Sequence, residues 1–370
     1  MNKYNVGDLI GDRFKLTKEI TKGGMGSVIF LATDTKKPAT HDSYWELTQK
    51  NVIVKIVYRN AEIGDEEWEK LLDESVTARR ASREENVAKL IEIFKENNNT
   101  IIFVMEYVKG HSLRDIIEKN GYLNLKESLY IIRKVLEALK GLHNFKHKII
   151  HRDLKPENIM ISNDYTQIKI IDFGISSVIA SGNKVLTLEE SLYGTYAYIS
   201  PEIFALNEST DKGSILNEQF DFFSIGVILY EMLLGTKPFY AEDYETKEAL
   251  KLALNYDIYP MNKIDNNIPN AVENIIFKCL ASKKEDKKYR YKKAEEIIHD
   301  IQKIEQNTKA AFNVKLIKPE HKRVYVARTI FKIDAEKQHL KIWYQQWFIN
   351  MIIAIVLVII GATILFVVVF

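Results

Sequence analysis

Residues 151–174 constrain this chain more than any other stretch. They read His151-Arg152-Asp153-Leu154-Lys155-Pro156-Glu157-Asn158, then a short apolar run, then Asp172-Phe173-Gly174. Two isolated carboxylates would mean little. An aspartate, a lysine and an asparagine in one octapeptide, followed a hairpin later by Asp-Phe-Gly, are very hard to reach by chance. Ile168-Lys169-Ile170-Ile171 reads as a short strand, so Asp172 falls at a strand end where a loop presents it. Asn158 and Asp172 offer the hard oxygen atoms that Mg²⁺ prefers, with phosphate oxygens completing the shell.

The remaining pattern alternates strands and helices. Phe14 to Ile20 alternates as a half-buried strand does, and Thr21-Lys22-Gly23-Gly24-Met25-Gly26-Ser27-Val28 follows before an apolar run to Ala32. Glycines let a backbone close over phosphates without Cβ clashes, although a glycine cluster alone fits any hairpin. Val52 to Val57 is a buried strand with one lysine, Lys55. A lone lysine among β-branched residues is costly unless it has a partner; the plain alternative is a lysine snorkelling from an edge strand. Asp65 to Arg83 reads as a charged helix with Trp68, Leu71, Leu72 and Val76 as its apolar residues. Lys126 to Phe145 places Leu129, Ile132, Leu136, Leu139 and His143 along one buried face, with His143 a core residue. Asp221 opens an apolar helix reaching Leu234.

Together these motifs resemble the eukaryotic-like (Hanks-type) serine/threonine protein kinases over about residues 8–302. The resemblance implies an α+β, bilobal fold, with a small β-rich lobe over about 8–107 and a larger helical lobe over about 108–302. It implies ATP and Mg²⁺ as cofactors, with Mn²⁺ a workable substitute, and Ser or Thr hydroxyls of proteins as acceptors. Asp153 then accepts or orients the proton of the attacking hydroxyl, and Lys155 stabilises the moving phosphate. Asn158 and Asp172 are the metal ligands. Lys55 holds the α- and β-phosphates and pairs with a helix glutamate, Glu74, for which Asp73 and Glu69 compete. Thr21, Gly23, Gly24, Gly26 and Val28 cover the nucleotide. Met105, Glu106 and Val108 form the hinge against adenine.

The same resemblance assigns regulation to the segment 172–202. Thr187, Ser191 and Ser181 are the candidate phosphosites, and a phosphate there pairs with Arg152 and orders the loop. Thr195 contacts Asp153 and Lys155. Asp221 accepts backbone N–H groups of the catalytic loop, Arg290 pairs with Glu202, and His151 is structural. The sequence departs from the family at Thr21, where glycine is usual. It departs also at Ile53 for alanine, which narrows the adenine pocket, at Ser200 for alanine, and in a longer insert from Thr33 to Gln49.

Trp347 to Phe370 carries no charge and is long enough, as a helix of roughly 36 Å, to cross a bilayer core. Trp343, Tyr344 and Trp347 stand at its start, where amphipathic rings favour the headgroup layer. From Lys303 to Gln346 there are ten Lys or Arg against four acids, while residues 1–302 sum to −4. The expectation is a cytoplasmic kinase domain, a basic juxtamembrane linker over 303–346 and one transmembrane helix over 347–370, as in the bacterial membrane-bound members of the family. The linker either lies against anionic lipid or is a plain solvated tether. Either the chain is tail-anchored or a longer protein continues beyond Phe370.

Several classes are disfavoured. A mildly acidic globular part argues against a nucleic-acid binder. The single cysteine, Cys279, reads as a buried core residue and excludes an intrachain disulfide framework. Eight histidines without ligand spacing suggest no zinc site. The competing function is a membrane-tethered pseudokinase that binds nucleotide without transfer. A homodimer would serve trans-autophosphorylation.

Overall fold

Alternating strands at the start of the chain build a six-stranded antiparallel sheet in the order β1-β2-β3-β4-β6-β5. The computed structural model describes residues 4–22, 27–36, 51–59, 64–145, 148–172, 196–202, 217–238, 261, 264–281 and 286–317. The strands are β1 (Leu9–Ile10), β2 (Phe14–Lys22), β3 (Val28–Asp34), β4 (Asn51–Tyr58), β5 (Leu90–Asn97) and β6 (Thr100–Glu106). Because a strand turns alternate residues to opposite faces, β4 has two roles. Val52, Val54 and Ile56 pack with Phe14, Phe30, Ile102 and Val104 in one core. Val57, Ile101, Phe103 and Leu90 pack on the other face with Trp68 of α1 (Asp65–Ala81). Lys55 pairs in register with Phe103 and so belongs to the α1 side.

Of the apolar residues expected on α1, Trp68 is buried and Leu72 packs against the same cluster, while Val76 is 44 % exposed. Ser75, Ala78 and Ala81 complete the buried face.

The second lobe is mainly helical. It comprises a three-stranded sheet of β7 (Gly110–Ser112), β8 (Ile159–Ser162) and β9 (Ile168–Ile170), with helices α2 (Leu113–Asn120), α3 (Leu125–Asn144), α4 (Gln219–Leu234), α5 (Asn270–Leu280), α6 (Ala294–Gln306) and α7 (Thr308–Phe312). Ser112 and Asp115 form a reciprocal capping box at the start of α2, and the Asn124 side chain caps α3. Every residue of α4 from Phe220 to Leu233 is buried, so this helix is the axle of the lobe. A Cβ on Gly226 would lie 2.7 Å from Cys279 Cβ, which is how closely α4 and α5 approach.

Helical packing does not stop at residue 302, where a linker was expected. Ile304 of α6 and Ala311 of α7 are buried in the main core. Beyond them Asn274 of α5 holds the backbone at two points, donating to Lys315 O (2.9 Å) and accepting from Ile317 N–H (2.9 Å). The chain's first compact unit accordingly runs to Lys318. The expected bilayer helix, 347–370, lies outside the described residues, as does the rest of the basic stretch from 318. Among the described residues no helix is long and apolar enough to cross a membrane.

Candidate active site

One buried carboxylate organises the loop that follows α3. Asp221, fully buried at the start of α4, accepts the backbone N–H groups of His151 and Arg152 at 2.9 Å each. It also bonds His143 Nε2 at 2.7 Å. Burial alone would push the Asp221 carboxyl up; His143, His151 and the backbone donors outweigh it and hold the group below the usual carboxylate range. Arg152 sits at φ 64°, a left-handed conformation that costs a non-glycine residue energy and that Asp221 pins in place. His151 reaches from this loop to Ile171 O, 3.1 Å away, tying it to the end of β9.

The polar residues then converge. Asn158 closes a short 3₁₀ turn, Pro156–Asn158, and its Nδ2 donates to Asp153 O (2.7 Å) and Asp153 Oδ2 (3.1 Å). Lys155 Nζ lies 3.1 Å from the same Oδ2. Asp153 Oδ1 is buried and has no hydrogen-bond partner, so one oxygen of a well-anchored carboxylate is left to accept a proton. Across from it, Asp172 follows β9 at φ 59° and pairs with Lys55 Nζ at 3.1 Å. Ile171 N–H donates to Asn158 O (2.9 Å), which sets the two candidate metal ligands side by side.

These groups suit a divalent cation shared with phosphates. Among the described residues no cluster of three or more His, Cys, Asp or Glu exists to cage a metal. Mg²⁺ needs none: one or two protein oxygens plus substrate phosphates suffice. With its nitrogen committed to Asp153, Asn158 keeps Oδ1 for that purpose, beside the Asp172 carboxylate.

Residues 17–301 match the family described as the protein kinase domain. The chain belongs to this family. It is 34 % identical to a candidate serine/threonine-protein kinase of Mycoplasma genitalium over 94 % of its own length and 95 % of that protein's. It is 34 % identical to a counterpart in Mycoplasma pneumoniae, covering 86 % and 85 %. It is 29 % identical to the serine/threonine-protein kinase PrkC of Bacillus subtilis over 80 % of this chain but 41 % of that one.

Several expected parts of the kinase site lie outside the described residues. These are Gly23, Gly24 and Gly26, the Phe173-Gly174 pair, Thr195 and the candidate phosphosites Ser181, Thr187 and Ser191, together with the side chains of Thr21 and Glu74. Of the competitors to Glu74, Glu69 is committed to an ion pair with Lys95 on β5. Val28 is not brought to the Lys55 face. It pairs with Ile56 and is buried in the opposite core with Phe30 and Val54, because its parity along β3 sends it there. Met105 does stand on the Lys55 face, directly across from Ile53. Val108 is buried after the strand.

Glu106 acts through its side chain as much as its backbone. Its N–H is taken by Lys89 O (2.9 Å), and its carboxylate accepts Lys89 N–H (3.1 Å) and both contacts of Lys169 Nζ (2.6 and 2.7 Å). Lys169 is on β9, three residues before Asp172, so the expected hinge is braced to the strand that leads to the candidate metal ligand. The alternation Ile168-Lys169-Ile170 was the sequence signal for this lysine. Arg290 pairs with Glu202, and Ser200 joins them by donating to Glu202 and accepting from Arg290. The serine that replaces the usual alanine is thus part of the kinase's buried ion pair. The sequence assigns no role to Arg114, Tyr198 or Glu231; a single glutamate in the apolar second half of α4 was the signal for their contact.

Proposed function

We propose that this chain is a membrane-anchored serine/threonine protein kinase that transfers the γ-phosphate of ATP to Ser and Thr hydroxyls of proteins. The observation that carries it is the convergence of Lys55, Asp153, Lys155, Asn158 and Asp172, with Asp153 Oδ1 left unpartnered beside a cationic lysine. Asp153 takes the proton of the incoming hydroxyl on Oδ1 while Asn158 and Lys155 fix its other oxygen. Lys155 lies where it can offset the charge of the transferring group, and Lys55 holds the nucleotide's phosphates. Asn158 and Asp172 would hold Mg²⁺, which supplies charge neutralisation at the phosphates when bound. Relatives named as serine/threonine-protein kinases support the acceptor class.

Anchoring rests on the uncharged residues 347–370 and the basic stretch before them. The Mycoplasma genitalium match spans 94 % of this chain and so must extend past residue 317. Phosphorylation of Ser181, Thr187 or Ser191 by a second copy is the regulatory reading.

The test is transfer of radiolabelled phosphate from Mg-ATP to protein by the full chain in vesicles, followed by phosphosite mapping. Incorporation on Ser or Thr that disappears in Asp153→Asn supports the reading. Mg-ATP binding without any transfer would replace it with a nucleotide-binding scaffold. Quantitative release of the chain from vesicles by alkaline carbonate would remove the anchor.

A further inference from the structure

Arg114, the second residue of α2, makes contacts out of proportion to its place on a short helix. Its Nε donates to Glu157 Oε1 (2.9 Å), and its NH1 to Glu231 Oε1 (3.0 Å). Its NH2 reaches the Tyr198 hydroxyl, which in turn donates to Glu231 Oε2. The four residues come from four separate stretches. Arg114 is on α2 and Glu231 on α4. Glu157 is in the 3₁₀ turn that ends with Asn158. Tyr198 belongs to the turn Tyr196–Tyr198 that leads to Ser200 and Glu202.

Three facts make this arrangement more than a surface ion pair. Glu231 is buried, with 6 % of its side chain exposed, in the apolar second half of α4. Tyr198 is 2 % exposed and its backbone carbonyl is held by Ser224 Oγ at 2.8 Å. Lys237 Nζ stands over the Tyr198 ring, 5.6 Å from its centre, as a second cation near the same acids. Apolar side chains would pack this spot at lower desolvation cost, so its yield is geometry and not stability. A guanidinium suits that task because its planar fork fixes several acceptors in set directions, which an ammonium cannot do.

We propose that Arg114 is a positioning residue for phosphoryl transfer. It clamps the Pro156–Asn158 turn to α4 and to Tyr198, and so holds Lys155 and Asn158 in register with the 196–202 segment. The proposal rests on the kinase reading above. Arg114 and Glu157 act on Lys155 and Asn158 through the backbone of the turn that carries Glu157 and Asn158. Small displacements of such a loop are costly, since misplacement by about 1 Å loses on the order of a hundredfold in rate.

The test uses the full chain with a peptide acceptor and measures kcat, both KM values and thermal stability. Arg114→Gln leaves Glu231 buried without its partner and will fold less well, so the deciding variants are Glu157→Gln and Arg114→Lys. Glu157 has 45 % of its side chain exposed, and its loss leaves the Arg114–Glu231 contact intact. Both variants are expected to lower kcat roughly tenfold while KM for ATP stays within about twofold. Glu157→Gln should also leave Tm unchanged. Combining Glu157→Gln with Arg114→Lys should cost no more than the worse single change, because both cut one clamp. Wild-type turnover with kcat preserved in both variants, whatever their Tm, would overturn the proposal while sparing the kinase reading. A wild-type chain with no transfer would sink both.

Discussion

Lys55 Nζ in the middle of β4 lies 3.1 Å from Asp172 Oδ1, one residue past Ile171 and on the other side of the cleft. The contact joins the β-rich lobe to the strand end that presents a candidate metal ligand. It also separates two acids that look equivalent in sequence. Asp172 is bound to a cation from the first lobe, whereas Asp153 is held by Asn158 and Lys155 with one oxygen spare.

Different losses follow from that difference. Asp153→Asn should lower transfer by about 10²–10⁴-fold, the usual worth of a positioned acid–base group, and leave Mg-ATP binding in place. Asp172→Asn should lose transfer and also the thermal stabilisation that Mg-ATP gives the wild type. Calorimetric melting with and without Mg-ATP distinguishes them. Equal stabilisation in both variants would remove Asp172 from the metal site.

The brace between Glu106 and Lys169 predicts an asymmetric mutant cycle. Lys169→Met leaves a nearly buried carboxylate with, among the described residues, only the Lys89 N–H donor, which should cost about 3–5 kcal/mol. Adding Glu106→Gln removes the stranded charge and should recover part of the loss. Urea unfolding of the four proteins reads the coupling. Additive losses would mean that the two side chains do not share one contact.

The candidate catalytic residues were legible because their chemistry forces rare residue types into fixed spacing, and the octapeptide from His151 needed no tertiary knowledge. Lys55 was legible as a charge inside a β-branched strand. What stayed hidden was pairing. Nothing in Val28 told which face of β3 it would take, since one shift of parity changes its side. Nothing in Arg114 marked it among 52 Lys and Arg as the one that meets Glu231. The packing beyond residue 302 also stayed hidden, because α7 is short and the chain after it is held by Asn274, a residue with no apolar signal.

Gly226 should not tolerate even one methyl group. A Cβ there would meet Cys279 Cβ at 2.7 Å and Leu280 Cγ at 2.8 Å, both close to the backbone of α5 and unable to swing away. Overpacking of this kind costs about 1–3 kcal/mol, against a gain of about 1 kcal/mol in helix propensity for Gly→Ala. A net fall in Tm for Gly226→Ala is expected by calorimetry. An unchanged or raised Tm would mean that α4 and α5 can slide apart at little cost.

Cys279 should behave as an inert thiol in the folded chain. Burial pushes it up to about 12, beyond what nearby Arg290 and Lys278 offset. Thiolate, the reactive form, is then scarce at neutral pH, and the sulfur is covered as well. An iodoacetamide label should enter at the rate at which α5 opens, and promptly once denaturant unfolds the chain. Fast labelling of the native protein would place Cys279 outside the core.

Glu202 makes the stability of the helical lobe depend on acid. Burial alone would raise its carboxyl, but Arg290 and the Ser200 hydroxyl reverse this and hold it below the usual 4.5. The unfolded chain therefore takes up this proton before the folded one does. The stabilisation is complete above about pH 4.5 and is lost as pH falls through the lower folded value. Glu202→Gln cannot gain or lose that proton. At neutral pH it should be less stable than the wild type, and the gap should narrow as pH drops below about 4.5. Guanidinium unfolding of both proteins between about pH 7 and 3 measures the gap directly. A difference that stays constant across the range, or widens in acid, would show that Arg290 does not select the ionised form of Glu202.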